Sequence, residues 1–439
     1  MRASAIDAAH FAELMAKVGP FGARPRLAVA TSGGADSLAL CLLAAAWTRH
    51  RSGTFTALTI DHGLRSDAVA EALALGDWLE KRSIAHRIIR WHGDKPTSSS
   101  QRAAREARYR LLSGWCRKHH VVHLLLGHQR DDQAETLMLR LTRGSGFDGL
   151  AAMPSVVERD GVRYLRPCLS ASHAELVTTL EQGKQPWIED PSNRDHRYAR
   201  VRLRTQLTRG ALASKDVAEA ARSIGLVRAE RDVATSELLA KVAEIDPRGF
   251  CRLHRQSTRT SDADAIRSAV ARIIMCIGGR TYAPRRARID NLVADIRADR
   301  AFPARTLGGC SIVQRDGDLI VCREVGRVGD AARLVAGETT RWDDRYDIKL
   351  NAVTCVKGLT VAAYGNNRWS DDRAEIYART RANLAQVVIA PLPAVYRGTK
   401  LVAVPHLGLY DQETIVNTRA LQVVFAPRHS LTPARFLVA

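Results

Sequence analysis

The chain has 439 residues, 46% of them hydrophobic and 26% charged, with a formal net charge of +20. That length predicts two to three domains, that balance predicts a soluble globular protein, and the excess of cations, mostly arginine, predicts a polyanionic partner. Eight scattered cysteines with no Cys-x-x-Cys pair argue against zinc, iron–sulfur and disulfide frameworks, the opening MRASAIDAAHFAELMAKV is no secretory signal, and no apolar run is long enough for a bilayer, so a cytoplasmic protein with no membrane partner is expected.

An amphipathic opening helix leads into a segment, from residue 25 to about 145, that alternates strand and helix. Leu27–Ala30 reads as a short buried strand and Asp36–Arg51 as a helix. Phe55–Ile60, Arg87–Trp91 and His123–Leu126 read as further strands. Asp67–Arg82, Gln101–His119 and a stretch from about His128 to Thr142 read as helices. The strands are short and apolar throughout, as in a parallel sheet covered on both faces. Repeated βα units predict an α/β fold with a doubly wound parallel sheet, whose ligands sit at the carboxyl ends of the strands. Beyond Met153-Pro154 come a short strand, Tyr164–Leu169, a helix from about Ser172 to Gln182, and an arginine-dense stretch, WIEDPSNRDHRYARVRLR. Residues from about Ala211 to Glu244 read as helical, and two more helices, Ala265–Ile277 and Arg285–Ile296, precede a hairpin turning at Asp316-Gly317. The last third is β-rich, punctuated by Pro391, Pro393 and Pro405. The expected domains are 1–210, 211–328 (mostly helical) and 329–439 (small and β-rich).

The turn after the first strand reads Thr31-Ser32-Gly33-Gly34-Ala35-Asp36-Ser37. Its glycines let backbone amides approach a ligand, and the following helix aims its free N–H groups at the same spot. Ser32, Gly33, Gly34, Ala35, Asp36 and Ser37 therefore read as an anion-binding loop, with hydroxyl donors from both serines. A carboxylate beside phosphate is repulsive unless a cation stands between them, so Asp36 reads as a Mg²⁺ ligand. The loop has no Walker lysine and no G-x-G-x-x-G.

S-G-G-A-D-S resembles the pyrophosphate-binding loop of the N-type ATP pyrophosphatases, which cleave ATP between the α- and β-phosphates and adenylate a carbonyl oxygen. Within that superfamily, GHQRDDQAETLMLRLTRGSGFDGLAAMP (127–154) resembles the signature of the tRNA(Ile)-lysidine synthetases. Read as one helix, it places His128 four residues from Asp132 and Asp131 four from Glu135, so that three carboxylates and an imidazole share a face. Such a cluster calls for cations, and Mg²⁺ and a lysine ammonium would both serve. IDHGLRSDAVAEA (60–72) resembles the family's element near the adenosine, and QRAAREARYRLL (101–112) its A-R-x-x-R-Y helix. Arg105 there reads as an α-phosphate contact, and Tyr109 as core packing. WIEDPSNRDHRYARVRLR resembles the family's W-x-x-D-P-S-N element, whose Arg197, Arg200, Arg202 and Arg204 would face RNA phosphates. Two positions depart from the family pattern, Arg200-Val201 and His173, and both are read as concerning RNA or packing rather than ATP.

The resemblance implies a ligase that consumes ATP, giving AMP and PPi. The wobble cytidine of an isoleucine tRNA with anticodon CAU would be adenylated at its C2 oxygen, and free L-lysine would then displace AMP. The regions after residue 210 would bind tRNA. His128 or one of Asp131, Asp132 and Glu135 would deprotonate the lysine, and the choice among them stays open. Two alternatives stand beside this reading: a tRNA thiolase, or a non-catalytic RNA-binding protein regulated by nucleotide. The oligomeric state is open, a homodimer included.

Overall fold

The computed structural model describes residues 3–61, 68–91, 100–159, 161–189, 202–203, 213–351, 358–365, 386–412, 414, 420–432 and 436–438, with backbone alone at 68–69 and 100–103. The chain divides into two units: Met1–Asp232 with Ala434–Ala439, and Val233–Pro433.

In the first unit the opening helix α1 (Ala8–Lys17) precedes β1 (Arg26–Ala30), α2 (Ala35–His50), β2 (Thr54–Asp61), α3 (Ala68–Glu80), β3 (Ala85–Arg90), α4 (Ser100–Lys118) and β4 (His123–Leu126). After these come α5 (Arg130–Thr142), α6 (Phe147–Leu150), β5 (Val156–Arg159), β6 (Val162–Leu165) and α7 (His173–Gln182). The strands form one six-stranded sheet in the order β3-β2-β1-β4-β6-β5. All pairings are parallel except that of the edge strand β5 with β6.

The alternation of side chains along the strands builds two cores. Leu27 and Val29 of β1, Leu125 of β4 and Leu165 of β6 pack on one face against Leu38 and Cys41 of α2, Leu75 of α3 and Leu176 of α7. Ala28, Ala30, Leu124, Leu126 and Tyr164 face the other way, against Leu112 and Cys116 of α4. Each fully buried leucine contributes about 1.5–3 kcal/mol of burial energy, so near-continuous apolar strands suit this sandwich. The strand order reverses between β1 and β4. The crevice at their carboxyl ends is the switch point where such sheets bind ligands.

The doubly wound parallel sheet expected from the sequence is present, with boundaries shifted by a few residues. Two local readings change. The strand expected at Tyr164–Leu169 is β6, and it stops at Leu165 because Pro167 opens a short 3₁₀ turn. The α5 helix begins at Arg130 rather than near His128, because Gln129 caps it: its side chain accepts from the Asp131 N–H, while the Asp132 carboxylate accepts from the Gln129 N–H at 3.0 Å.

The long helix α8 (Ser214–Val242) leaves the first unit and enters the second. Within the second unit, the hairpin read from the sequence is formed by Cys310–Arg315 and Asp318–Arg323, with positive φ at Asp316 and Gly317 as a two-residue hairpin turn requires. It lies in a five-stranded antiparallel sheet with Arg305–Leu307, Phe250–Leu253 and Ala243–Asp246. Helices Ala263–Gly278 and Arg286–Arg297 share a core with this sheet. Residues beyond 331 form a five-stranded and a three-stranded antiparallel sheet. Within this unit Asp343 is 2% exposed and accepts from both Arg323 and Arg345 at 2.7 Å, the arginines themselves being buried.

Candidate active site

The loop after β1 is held from both ends. The Thr31 N–H donates to the Leu58 carbonyl and so prolongs the sheet pairing by one residue. The Ser37 hydroxyl donates to the Gly34 carbonyl at 3.1 Å and accepts from the Ser32 N–H at 3.1 Å, closing the bend on itself. Gly33 has φ +84°, and a Cβ there would come within 2.4 Å of Ile188, whose N–H also donates to the Gly33 carbonyl. Gly34 is the N-cap of α2 and offers no side-chain cap. The first amides of α2 and its positive dipole end therefore face the crevice, the arrangement an anion requires. Gly127, at the end of β4, lets α2 start this close, since a Cβ would meet the Ser37 backbone at 2.7 Å.

Asp36 lies in the first turn of α2 with its carboxylate about one quarter exposed, at 27%. Its Oδ1 is 2.6 Å from Nδ1 of His173, the first residue of α7. The carboxylate can only accept, so Nδ1 carries the proton. The backbone N–H of His173 faces Asp131 Oδ2 at 3.5 Å, and the Ser214 hydroxyl, at the start of α8, donates to Asp131 Oδ1 at 2.5 Å. Asp36 and Asp131, from the neighbouring strands' ends, thus converge on the same residue.

Of the expected face, α5 carries Asp131, Asp132 and Glu135, while His128 lies before the helix. Asp131 points to His173 and Ser214, Asp132 caps its own helix, and Glu135 is 2% exposed within the unit. His128 precedes the helix, and its N–H bonds the Leu126 carbonyl. The physical reason is the cap at Gln129, which turns the chain before the helix starts and so separates His128 from the i, i+4 ladder. His173, expected to concern RNA or packing, contacts Asp36 at the end of the glycine loop.

Arg105 on α4 is exposed, donates to the Tyr109 hydroxyl at 3.3 Å, and lies over that ring at 5.2 Å. Tyr109 packs edge-on against Tyr164 of β6 and so joins the core, as read from the sequence. Sequence reasoning missed the cations behind it. Arg166, directly after β6, is 6% exposed, donates to the Pro154 carbonyl at 2.9 Å, and has a buried Nε with no partner. Burial lowers the pKa of Arg166 and of Arg108, partly offset by Tyr109, while Arg105 adds repulsion. The Arg-Pro pair at 166–167 was the available signal.

The glycine-rich stretch after α5 is tied back to it: Arg140 donates to the carbonyls of Gly149 and Ala152, and Gln133 exchanges two 2.8 Å bonds with the Met153 backbone. Beside it a cavity of about 200 Å³ is lined by Arg130, Met153, Lys215 and Phe436, among others, within the first unit. Of the arginines expected to face RNA, Arg202 is exposed; Arg197, Arg200 and Arg204 lie outside the described residues, as do 62–65 of the D-H-G-L-R element. In the described part of the W-x-x-D-P-S-N element, Trp187 and Ile188 pack against the core beneath α2.

No group of three or more metal-ligating side chains occurs among the described residues. That fits Mg²⁺ on a nucleotide, which needs one or two carboxylates and takes its other ligands from phosphate and water. Asp36, half-buried at the mouth of the anion loop, is such a carboxylate. The seven described cysteines are free and buried. Burial pushes the thiols of Cys41, Cys116, Cys168, Cys276, Cys310 and Cys322 up to about 12, with Asp36 adding to the effect at Cys168, so none is a ready thiolate. No described helix is long and apolar enough to cross a membrane.

Residues 5–211 match the PP-loop domain family. The chain is similar to the tRNA(Ile)-lysidine synthase of Ruegeria pomeroyi, at 33% identity over 89% of this chain and 91% of that protein. It is 29% identical to the tRNA(Ile)-lysidine synthase of Orientia tsutsugamushi, over 95% of this chain and 97% of the relative. The enzyme of the same name from Rhodopseudomonas palustris is 44% identical over 51% of this chain and 64% of its own length. The 33% identity to the Ruegeria pomeroyi enzyme over about nine-tenths of both chains, with a PP-loop domain over residues 5–211, places the chain in the tRNA(Ile)-lysidine synthase family.

Proposed function

We propose that the chain ligates free L-lysine to C2 of the wobble cytidine of an isoleucine tRNA with anticodon CAU. The carrying observation is the bend at Gly33-Gly34 on an uncapped helix start, with Asp36 and Asp131 drawn toward it. Ser32, Gly33, Gly34, Ala35 and Ser37 bind the β- and γ-phosphates of ATP through backbone amides and hydroxyls. Asp36 would hold Mg²⁺, which when bound would supply positive charge to offset that of the phosphates. Arg105 sits on the α-phosphate side, its guanidinium oriented by Tyr109.

The reaction has two displacements. The C2 oxygen of the flipped cytidine attacks the α-phosphorus and the bond to the β-phosphate breaks, releasing PPi. The ε-amine of lysine, after losing a proton, then attacks C2; the C2–O bond breaks and AMP leaves with that oxygen. Among His128, Asp131, Asp132 and Glu135, Asp131 is favoured as proton acceptor, because it is joined through His173 to Asp36 at the glycine bend. The regions 211–328 and 329–439 bind the tRNA. The enzyme works in the cytoplasm.

The test is incubation with ATP, labelled lysine and tRNA. One lysine fixed at the wobble base per AMP formed is expected. AMP and PPi formed with sulfur incorporation instead would identify a thiolase, and nucleotide binding with no AMP under any condition would identify a regulator.

A further inference from the structure

Asp36 is not simply presented to solvent at the nucleotide loop. It is gripped by a residue 137 positions away in the chain, His173 Nδ1, at 2.6 Å. That residue stands on a fixed base. It opens α7, whose start is locked by a reciprocal cap: the Ser172 N–H donates to Glu175 Oε2 at 2.8 Å, and the Glu175 N–H donates to Ser172 Oγ at 3.2 Å. The helix packs below through Leu176 and Leu180, both fully buried.

Two carboxylates therefore meet one helix start. The Asp36 carboxylate takes the side chain of His173, and the Asp131 carboxylate faces its backbone N–H at 3.5 Å. Without that bridge the two acids would repel across the crevice; the positive end of α7 and the imidazole N–H hold them instead. The contact engages Oδ1 of Asp36 and restricts how the carboxylate can turn, which would favour one setting of Oδ2 toward a cation at the loop. Asp131 in turn accepts from Ser214, so a continuous line of contacts joins the nucleotide loop to the first residue of α8.

We propose that His173 is a positioning residue for the nucleotide: it sets the Asp36 carboxylate for the divalent cation and links that setting to Asp131 on the acidic helix. The proposal rests on the reading of Ser32–Ser37 as the ATP loop and of Asp36 as the cation ligand. It does not require lysidine formation.

The test measures cation binding directly. Mn²⁺ is titrated into the full chain by electron paramagnetic resonance, with and without α,β-methylene-ATP, for wild type, His173→Ala and His173→Asn. His173 is half exposed, with 53% of its side chain accessible, so both variants are expected to fold, as a melting curve would verify. Loss of one charge-assisted hydrogen bond predicts that His173→Ala weakens Mn²⁺ binding to the analogue complex about tenfold, and that His173→Asn, whose amide can still donate to Asp36, recovers most of it. Analogue binding without metal should be unchanged in both. Equal Mn²⁺ affinity in wild type and His173→Ala would overturn the proposal. So would a loss of analogue affinity that is the same with and without metal, since His173 would then be a phosphate contact. Failure of the wild type to bind Mn²⁺ with the analogue would overturn both this inference and the ATP-loop reading. A wild type that binds it normally yet fixes no lysine would overturn only the ligase reading.

Discussion

At the residue scale, the backbone shape of the loop was legible because it is local. Two glycines and an acid between a buried strand and a helix need no tertiary information to imply an anion site, and Gly33 indeed has positive φ. Adding a methyl group there forces it against Ile188 and leaves the new residue in a left-handed conformation, so Gly33→Ala is expected to cost about 1–3 kcal/mol and to abolish nucleotide binding. Thermal melting with and without ATP checks both; a variant that binds ATP normally would contradict the role of the bend. Asp36→Asn keeps the shape and removes the charge, and AMP formation should fall by about 10²–10³ with little change in melting temperature. The contact between Asp36 and His173 was not legible, because it depends on how α7 returns over α2, which only packing decides. The start of α5 was misread for a local reason: glutamine is an uncommon N-cap, and its use at Gln129 moves the helix start past His128.

At the element scale, short near-continuous apolar runs identified the strands of the parallel sheet, since both of its faces are covered. Leu125 is fully buried, and Leu125→Ala should destabilise the chain by about 2–5 kcal/mol in urea unfolding. The edge hairpin of β5 and β6 was harder to see: its strands are four residues each and the outer one is half polar. The cap of α7 gives a pH prediction. Burial alone would raise the Glu175 carboxyl, but the Ser172 hydroxyl and amide, with Arg130 and His10, outweigh it and hold the group below the usual carboxylate range. A depressed folded pKa means this stabilisation is complete above the unfolded value, about 4.3, and is lost as pH falls through the folded one. Glu175→Gln should therefore lower stability at neutral pH and flatten the acid limb of a melting-temperature profile. An acid limb identical to wild type would contradict the cap's role.

At the scale of the whole molecule, the sequence conveyed charge and periodicity but not the pairing of distant segments. The hairpin at 310–323 was visible from Asp316-Gly317, whereas its partner strands at 243–253 lie far off in sequence, and the Asp246-Pro247-Arg248-Gly249 turn that joins them does not say which strand they pair with. The same holds for Asp343, whose two arginine partners converge only on folding. Asp343→Ala would leave two buried guanidinium groups unpaired and should cost about 3–5 kcal/mol. The net charge of +20 belongs to the molecule as a whole. It predicts tRNA affinity that falls linearly on a log–log plot against salt, by at least about tenfold between about 50 and about 200 mM. Filter binding across that range tests it, and a flat response would mean that phosphate contacts contribute little.

The central claim is that the C2 oxygen of the cytidine becomes bonded to the α-phosphorus at the glycine bend. A tRNA carrying ¹⁸O at C2 of the wobble cytidine tests it most directly. The account predicts that the heavy oxygen leaves with AMP and that lysine takes its place at C2. Heavy oxygen retained in the modified tRNA, or AMP of ordinary mass, would contradict it.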